Sequence, residues 1–143
     1  MLIAHVLREK GPAIFTLAAE ATLEEACGEL HNRKVGALVV LDADGGVFGV
    51  LSERDLVREV ARAGVTGLSQ QVGAVMSRNV ITAEPHETID ECLARMTDRR
   101  VRHLPVLEQG SLVGVVSIGD LVKHRIASVE AEAAAMQAYI STH

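Results

Sequence analysis

The 143-residue chain is short of aromatic side chains, with two Phe, one Tyr and no Trp. A core must therefore be built from Val, Leu, Ile and Ala, and the stacking platforms of single-stranded nucleic-acid binders are missing. Cationic excess is missing too: the formal net charge of −5 works against general nucleic-acid binding, whose affinity comes from neutralising phosphates. No apolar run approaches the roughly 20 residues needed to cross a bilayer; the longest is Val35–Leu41. After Met1-Leu-Ile-Ala the chain turns charged at Arg8-Glu-Lys10, which is not a signal-peptide pattern. The expectation is a cytoplasmic protein without membrane or nucleic-acid contact.

Cysteine is scarce as well. Cys27 and Cys92 lack CxxC spacing, and each falls on the apolar side of an expected helix, so both read as reduced core thiols. The six histidines show no HxxxH or Cys/His ligand pattern, and no metal site is expected. GxGxxG and GxxxxGK[ST] are both absent, which argues against a Rossmann or P-loop nucleotide site. Around Ser117 the sequence Gly114-Val-Val-Ser-Ile-Gly119 glances at a nucleophile elbow. That motif needs glycine two residues before the serine, where Val115 stands, and no Asp–His pair follows in a convincing order.

The chain does contain a plan stated twice. Val101–Leu121 reads as a strand, a tight turn at Gln109-Gly110, a second strand, and a helix opening at Ser117. Val35–Leu56 repeats it, with its turn at Asp44-Gly45-Gly46. Upstream, Thr22-Leu-Glu-Glu25 and Thr88-Ile-Asp-Glu91 are capping boxes in register. Leu23, Ala26, Cys27 and Leu30 follow the first at i, i+3, i+4, i+7, and Ile89, Cys92, Leu93 and Met96 follow the second. Thr16 matches Thr82, Gly49 matches Gly114, Ser52 matches Ser117 and Asp55 matches Asp120. An internal duplication accounts for this.

Each copy reads β-α-β-β-α. The expected strands are Ile14–Leu17, Ala37–Leu41 and Val47–Leu51 in the first copy, with a helix from Glu53 to about Ala63 burying Leu56, Val57 and Val60. Val80–Ala83 is the matching first strand of the second copy. The fold class is α/β (α+β), with residues 1–64 as repeat 1, 65–73 as linker, 74–127 as repeat 2, and 128–143 as a C-terminal helix and tail. The two repeats are expected to pack about a pseudo-two-fold axis, because a copy of this size has little core of its own. The stripe Val129, Ala133, Met136, Ile140 on the last helix either covers the body or meets a partner.

Ser52-Glu-Arg-Asp55 and Ser117-Ile-Gly-Asp120 carry the candidate chemistry. Both suit a helix N-cap. The Asp, shorter than the Glu of the other two boxes, is expected to reach back poorly and so to remain available to a vicinal diol. The helix N-terminus and hydroxyl beside it suit phosphate.

The duplicated unit, the Arg102-His-Leu-Pro-Val106 strand and the paired Gly-Val-(Leu/Val)-Ser-x-x-Asp resemble a tandem cystathionine-β-synthase (CBS) domain pair, or Bateman module, over roughly residues 3–126. The likeness is to small stand-alone bacterial CBS-pair proteins. It implies a non-catalytic module whose clefts bind AMP, ADP, ATP, NAD(H) or S-adenosylmethionine as regulatory ligand, a homodimer, and signalling to an unknown protein target. Asp55 and Asp120 would hold ribose, and Ser52 and Ser117 phosphate. Thr16, Gly36, Ala37 and Arg54 would complete the first cleft; Thr82, Arg102, His103 and Pro105 would complete the second. Because Gly36-Ala37 stands where Arg102-His103 does, the clefts are expected to differ, with the second the stronger. The rival reading is a dimeric interaction or scaffold protein with vestigial clefts.

Overall fold

A computed structural model describes residues 1–142. The order is α1 (Ile3–Lys10), β1 (Thr16–Ala18), α2 (Leu23–Arg33), β2 (Ala37–Leu41), β3 (Val47–Ser52) and α3 (Glu53–Ala63). A 3₁₀ turn at Val65–Ser69 then leads to α4 (Val72–Val75), α5 (Ile89–Arg99), β4 (His103–Glu108), β5 (Ser111–Ser117) and α6 (Ile118–Thr142). β1 runs parallel to β2, and β2 antiparallel to β3. β4 and β5 form the matching hairpin. Its turn is made by Gln109 and Gly110, both at positive φ (50° and 80°), the geometry that matches strand twist in two-residue hairpins.

The halves exchange their leading helices. Ile3 and Val6 of α1 are fully buried with Ala83, Leu104, Val116 and Leu121 of the second half. Val72 of α4 and Met76, which caps it, sit in the other core with Leu23, Leu38 and Leu51. Each fully buried aliphatic side chain contributes roughly 1.5–3 kcal/mol, so each half is stabilised by apolar surface supplied from outside it. The contact needs a glycine floor. A Cβ on Gly49 would lie 2.5 Å from Met76 Sδ, and one on Gly114 would lie 2.5 Å from Leu7 Cδ2. The equivalence of these two glycines thus reflects the path of the exchanged segments.

Three expectations need correction. Val80–Ala83 is not a strand: only Ala83 bridges, to Val106, donating to the Pro105 carbonyl and accepting from Leu107 N. Pro105 has no N–H with which to extend the parallel pairing upstream, whereas Val39, its counterpart, pairs with Thr16. On α3, Val57 (68% exposed) and Val60 (38%) face outward, while Asp55, Leu56 and Glu59 are buried. Asp55 bonds back to Ser52, which fixes the helix rotation and turns Val57 away. Finally, the helix expected from residue 128 is the continuation of α6, a single 25-residue helix.

No helix among the described residues is long and apolar enough to cross a membrane. Cys27 is half-buried and Cys92 buried, both as free thiols, and burial, then the Glu87 charge, push Cys92 up to about 11.

Candidate nucleotide clefts

Ser52 ends β3 and caps α3; Ser117 ends β5 and caps α6. In each case the hydroxyl accepts from the amide three residues on: Asp55 N at 3.4 Å and Asp120 N at 3.1 Å. The aspartates do reach back, against expectation. Asp55 Oδ2 accepts from Ser52 N at 2.9 Å, and Asp120 Oδ2 from Ser117 N at 2.9 Å. At Thr22 and Thr88 only the hydroxyl half of the box forms, accepting from Glu25 N and Glu91 N. A strand running directly into the helix brings the cap amide close enough for the shorter side chain. The boxes therefore hold each aspartate in place at the lining of its cleft, with Oδ2 committed to the cap amide.

Both carboxylates also meet a cation. Asp55 Oδ1 accepts from Arg58 Nη2, one turn along the same helix. Asp120 Oδ2 accepts from Lys10 Nζ at 2.7 Å, and the same ammonium donates to Val115 O at 2.8 Å. Burial alone would raise the Asp120 carboxyl, but the Lys10 hydrogen bond, the Ser117 amide and the Lys10 charge outweigh it and hold it below the usual range.

Two cavities open on these caps. One, of about 300 Å³, contains Ser52 and Asp55 together with Arg54, Arg58, Arg100 and Arg102. The other, of about 270 Å³, contains Ser117 and Asp120 together with Lys10, Lys34, Phe15 and Ala37. Ser52, Arg54 and Asp55 share a cavity, and so do Ser117 and Asp120. The remaining assignments cross over. Arg102 lines the Asp55 cleft, and Ala37 the Asp120 cleft; His103 and Gly36 line both. Each hairpin begins beside the opposite half's Ser/Asp cap, where Gly36 at the entry to one lies against His103 at the start of the other. Arg100 and Arg102, which lead into the repeat 2 hairpin, consequently serve the cap of repeat 1.

Thr16, Thr82 and Pro105 line neither cavity. Ile14 and Phe15 lie in the Asp120 cleft and Val80 and Ile81 in the Asp55 cleft, one or two residues before the threonines. The Thr82 carbonyl is taken by Arg95 Nη1 at 2.9 Å, and Pro105 is buried in the hairpin opposite Val115.

The small pair Gly36-Ala37 has a reason. A Cβ on Gly36 would come within 3.0 Å of His103 Nε2, so the first half is pared down where the second half's imidazole enters. Burial, then the Lys10 charge, hold His103 below its ordinary pKa; Glu53 and Asp120 pull it up, and Arg102 adds to the lowering.

Lys10, Lys34 and Arg58 were not among the sequence candidates. Lys34 and Arg100 are equivalent: each ends its helix in the left-handed conformation, φ 56°, and so swings out beside a cleft. A basic residue ending both α2 and α5 was a readable signal. For Lys10 there was none, since its partner lies 110 residues away.

A model of the CBS domain matches residues 10–62 and 72–127. The chain belongs to the CBS domain family. Among curated relatives, the mitochondrial CBSX3 protein of Arabidopsis thaliana is 30% identical over 96% of this chain and 71% of its own length. YhcV of Bacillus subtilis is 28% identical over 85% of each. Among solved structures, a CBS-domain protein of Agrobacterium tumefaciens superposes with TM-score 0.84 at 44% identity, covering 87% of this chain and 92% of that one. The CBS domain pair of MJ0100, solved in complex with 5′-methylthioadenosine and S-adenosyl-L-methionine, has TM-score 0.80 at 22% identity over 90% and 98%. Among the described residues no cluster of three or more His, Cys, Asp or Glu could hold a metal ion.

Proposed function

We propose that the chain is a cytoplasmic sensor of adenosine-containing ligands that signals to a partner protein, and that its two clefts divide the ligands by charge. The observation that carries this reading is the fixed Ser/Asp cap in each cleft. Its carboxylate edge suits a ribose diol, and the cap hydroxyl and helix N-terminus suit phosphate. Cations delivered from the opposite half stand across the gap. Binding of adenosine compounds by the MJ0100 domain pair supports the ligand class.

The Asp55 cleft, with four arginines against Glu53 and Asp55, suits a di- or triphosphate, because guanidinium forks match phosphate oxygens. The Asp120 cleft offers two lysines and the Phe15 ring, which suits a ligand of low charge whose base packs on an apolar wall. AMP or S-adenosylmethionine belongs there, and ATP, ADP or NAD(H) in the other. A ligand that favours one arrangement of the halves shifts the population toward it.

Thermal melts with AMP, ADP, ATP, NAD, NADH and S-adenosylmethionine test the proposal. A ligand present at about 100 times its dissociation constant adds roughly 2.7 kcal/mol of stability. ATP is expected to lose its shift in Asp55→Ala and keep it in Asp120→Ala. No shift with any of the six would leave the clefts vestigial and the chain a scaffold.

A further inference from the structure

In the Asp120 cleft an ammonium group of the chain itself stands on the carboxylate assigned above to ribose. Lys10 is the last residue of α1, and α1 is fastened to the second half by the fully buried Ile3 and Val6. Its Nζ donates to Asp120 Oδ2 at 2.7 Å and to Val115 O at 2.8 Å, and all three residues line the cavity. Asp120 Oδ2 accepts from Ser117 N as well, at 2.9 Å. A carboxylate oxygen has two lone pairs, so the amide and the ammonium together fill Oδ2. A vicinal diol is gripped best when its two hydroxyls take both carboxylate oxygens, and one of the two is closed to it while Lys10 stays.

The first half is built differently. Val50 follows Gly49 as Val115 follows Gly114, but its carbonyl accepts from the backbone, Ser77 N at 3.0 Å. The cation at Asp55 is Arg58, which comes from the same helix and donates to Oδ1. The Lys10 ammonium, by contrast, is free to move. Its side chain is 35% exposed and that of Asp120 28%, and water competes well with a pair so placed. The stem is flexible and the ammonium carries three donors. Because α1 is anchored, Lys10 acts on the cleft as a tethered group, at high effective concentration.

We infer that Lys10 is a specificity gate of the Asp120 cleft, admitting adenosine-containing ligands that carry a phosphate and holding back uncharged nucleosides. The inference rests on the ribose role proposed for Asp120. A nucleoside has to part Lys10 from Asp120 and offers the ammonium no anion in exchange. A nucleoside monophosphate parts the same pair but brings its phosphate to the Ser117 hydroxyl and the start of α6, in the same cavity. There the released ammonium pairs with it. Lys34 lines the cavity too, and it serves the phosphate whether Lys10 is present or not.

The test compares AMP with adenosine by calorimetry in Asp55→Ala, where the Asp120 cleft is read alone, with and without Lys10→Met. Methionine keeps an unbranched stem and removes the charge. Adenosine is expected to bind about two- to five-fold tighter in Lys10→Met, the worth of a part-exposed ion pair. AMP is expected to bind about three-fold more weakly, because a charged hydrogen bond to phosphate outweighs the pair that Lys10 gave up, and the preference for AMP falls about ten-fold. Unchanged adenosine binding would make Lys10 a fixed phosphate ligand, and equal weakening of both compounds would make it a structural residue; either result overturns the gate. Binding that Asp120→Ala abolishes but Lys10→Met leaves unaltered removes the gate alone. Binding that Asp120→Ala does not affect removes the ribose reading, and the gate with it.

Discussion

The two clefts are built from one plan and come out chemically unlike. Each has a serine–aspartate cap at a strand-to-helix junction and a basic residue in the left-handed region at a helix end. The difference comes from what crosses the pseudo-two-fold axis. Repeat 2 sends Arg100 and Arg102 to the Asp55 cap, while repeat 1 sends Lys34 and the small Gly36-Ala37 pair to the Asp120 cap. The exchanged N-terminal helix adds Lys10 at Asp120, where the Asp55 cap has Arg58 from its own helix. Phe15 stands where the other half has Ile81. In a duplicated domain with exchanged segments, a residue's place in the sequence identifies its repeat but not its cleft.

The sharpest way to break this comparison is to remove the crossing charge. Arg100→Ala/Arg102→Ala is expected to weaken ATP at the Asp55 cleft by about 100-fold, since a hydrogen bond to a charged group is worth roughly 1.5–3 kcal/mol. AMP at the Asp120 cleft should be unaffected by calorimetry. Equal losses at both clefts would sink the crossed assignment. Next in size are the glycine floors. At Gly49 an added methyl meets the Ser77 backbone carbonyl at 2.9 Å as well as Met76, and Gly49→Ala should cost about 2–3 kcal/mol, the upper part of the range for overpacking. At Gly114 the nearest atoms all belong to the Leu7 side chain, which can turn aside, and Gly114→Ala should cost about 1 kcal/mol. Denaturant midpoints at constant m-value give both numbers.

Most of the fold was legible because it was stated twice: two capping boxes, two helical faces and two hairpins reinforced one another at fixed offsets. What failed did so at places where a long-range contact overrides a local pattern. Val57 and Val60 complete a plausible apolar stripe, yet the Asp55 back-bond sets which side of α3 faces in. Val80–Ala83 has strand composition, but Pro105 across from it cannot donate. The Ser/Asp pairs were readable, since both partners of each lie within one turn. The clefts' other walls were not, because they come from the opposite repeat, and Lys10 reaches Asp120 only through the exchange of α1.

Lys10 gives a smaller effect that separates the two caps further. The Asp120 carboxyl is held below its ordinary range, so its ion pair stabilises the fold above about pH 4, the unfolded aspartate value, and is lost as pH falls through the lower folded value. Lys10→Met should cost about 0.5–1 kcal/mol at neutral pH, a modest figure because the Lys10 side chain is 35% exposed. It should also move the acid limb of stability to higher pH. Arg58→Met, made as a control at the other cap, leaves Asp120 and its acid limb in place. An unchanged acid limb in Lys10→Met would show that the amide bond from Ser117 suffices to hold the carboxyl down.

The smallest effect concerns His103, which both clefts share. Its pKa is depressed by burial first and by Lys10 next, so the neutral ring is the form the empty protein prefers. That preference stabilises the fold above about pH 6.5, the ordinary histidine value, and is lost as pH falls through the lower folded value. A phosphate entering either cleft brings negative charge toward the ring and raises its pKa, so binding takes up part of a proton near neutrality and tightens as pH drops toward 6. The binding enthalpy of ATP should therefore differ between buffers of low and high ionisation enthalpy by a fraction of one proton, and His103→Gln should abolish the difference. Asp55→Ala should remove the uptake with ATP while leaving any uptake with AMP, because the ring is common to both sites but each ligand is not. Enthalpies identical across buffers in the wild type would mean that the phosphate stays clear of the shared wall, and that the two clefts, although adjacent at His103, sense their ligands independently.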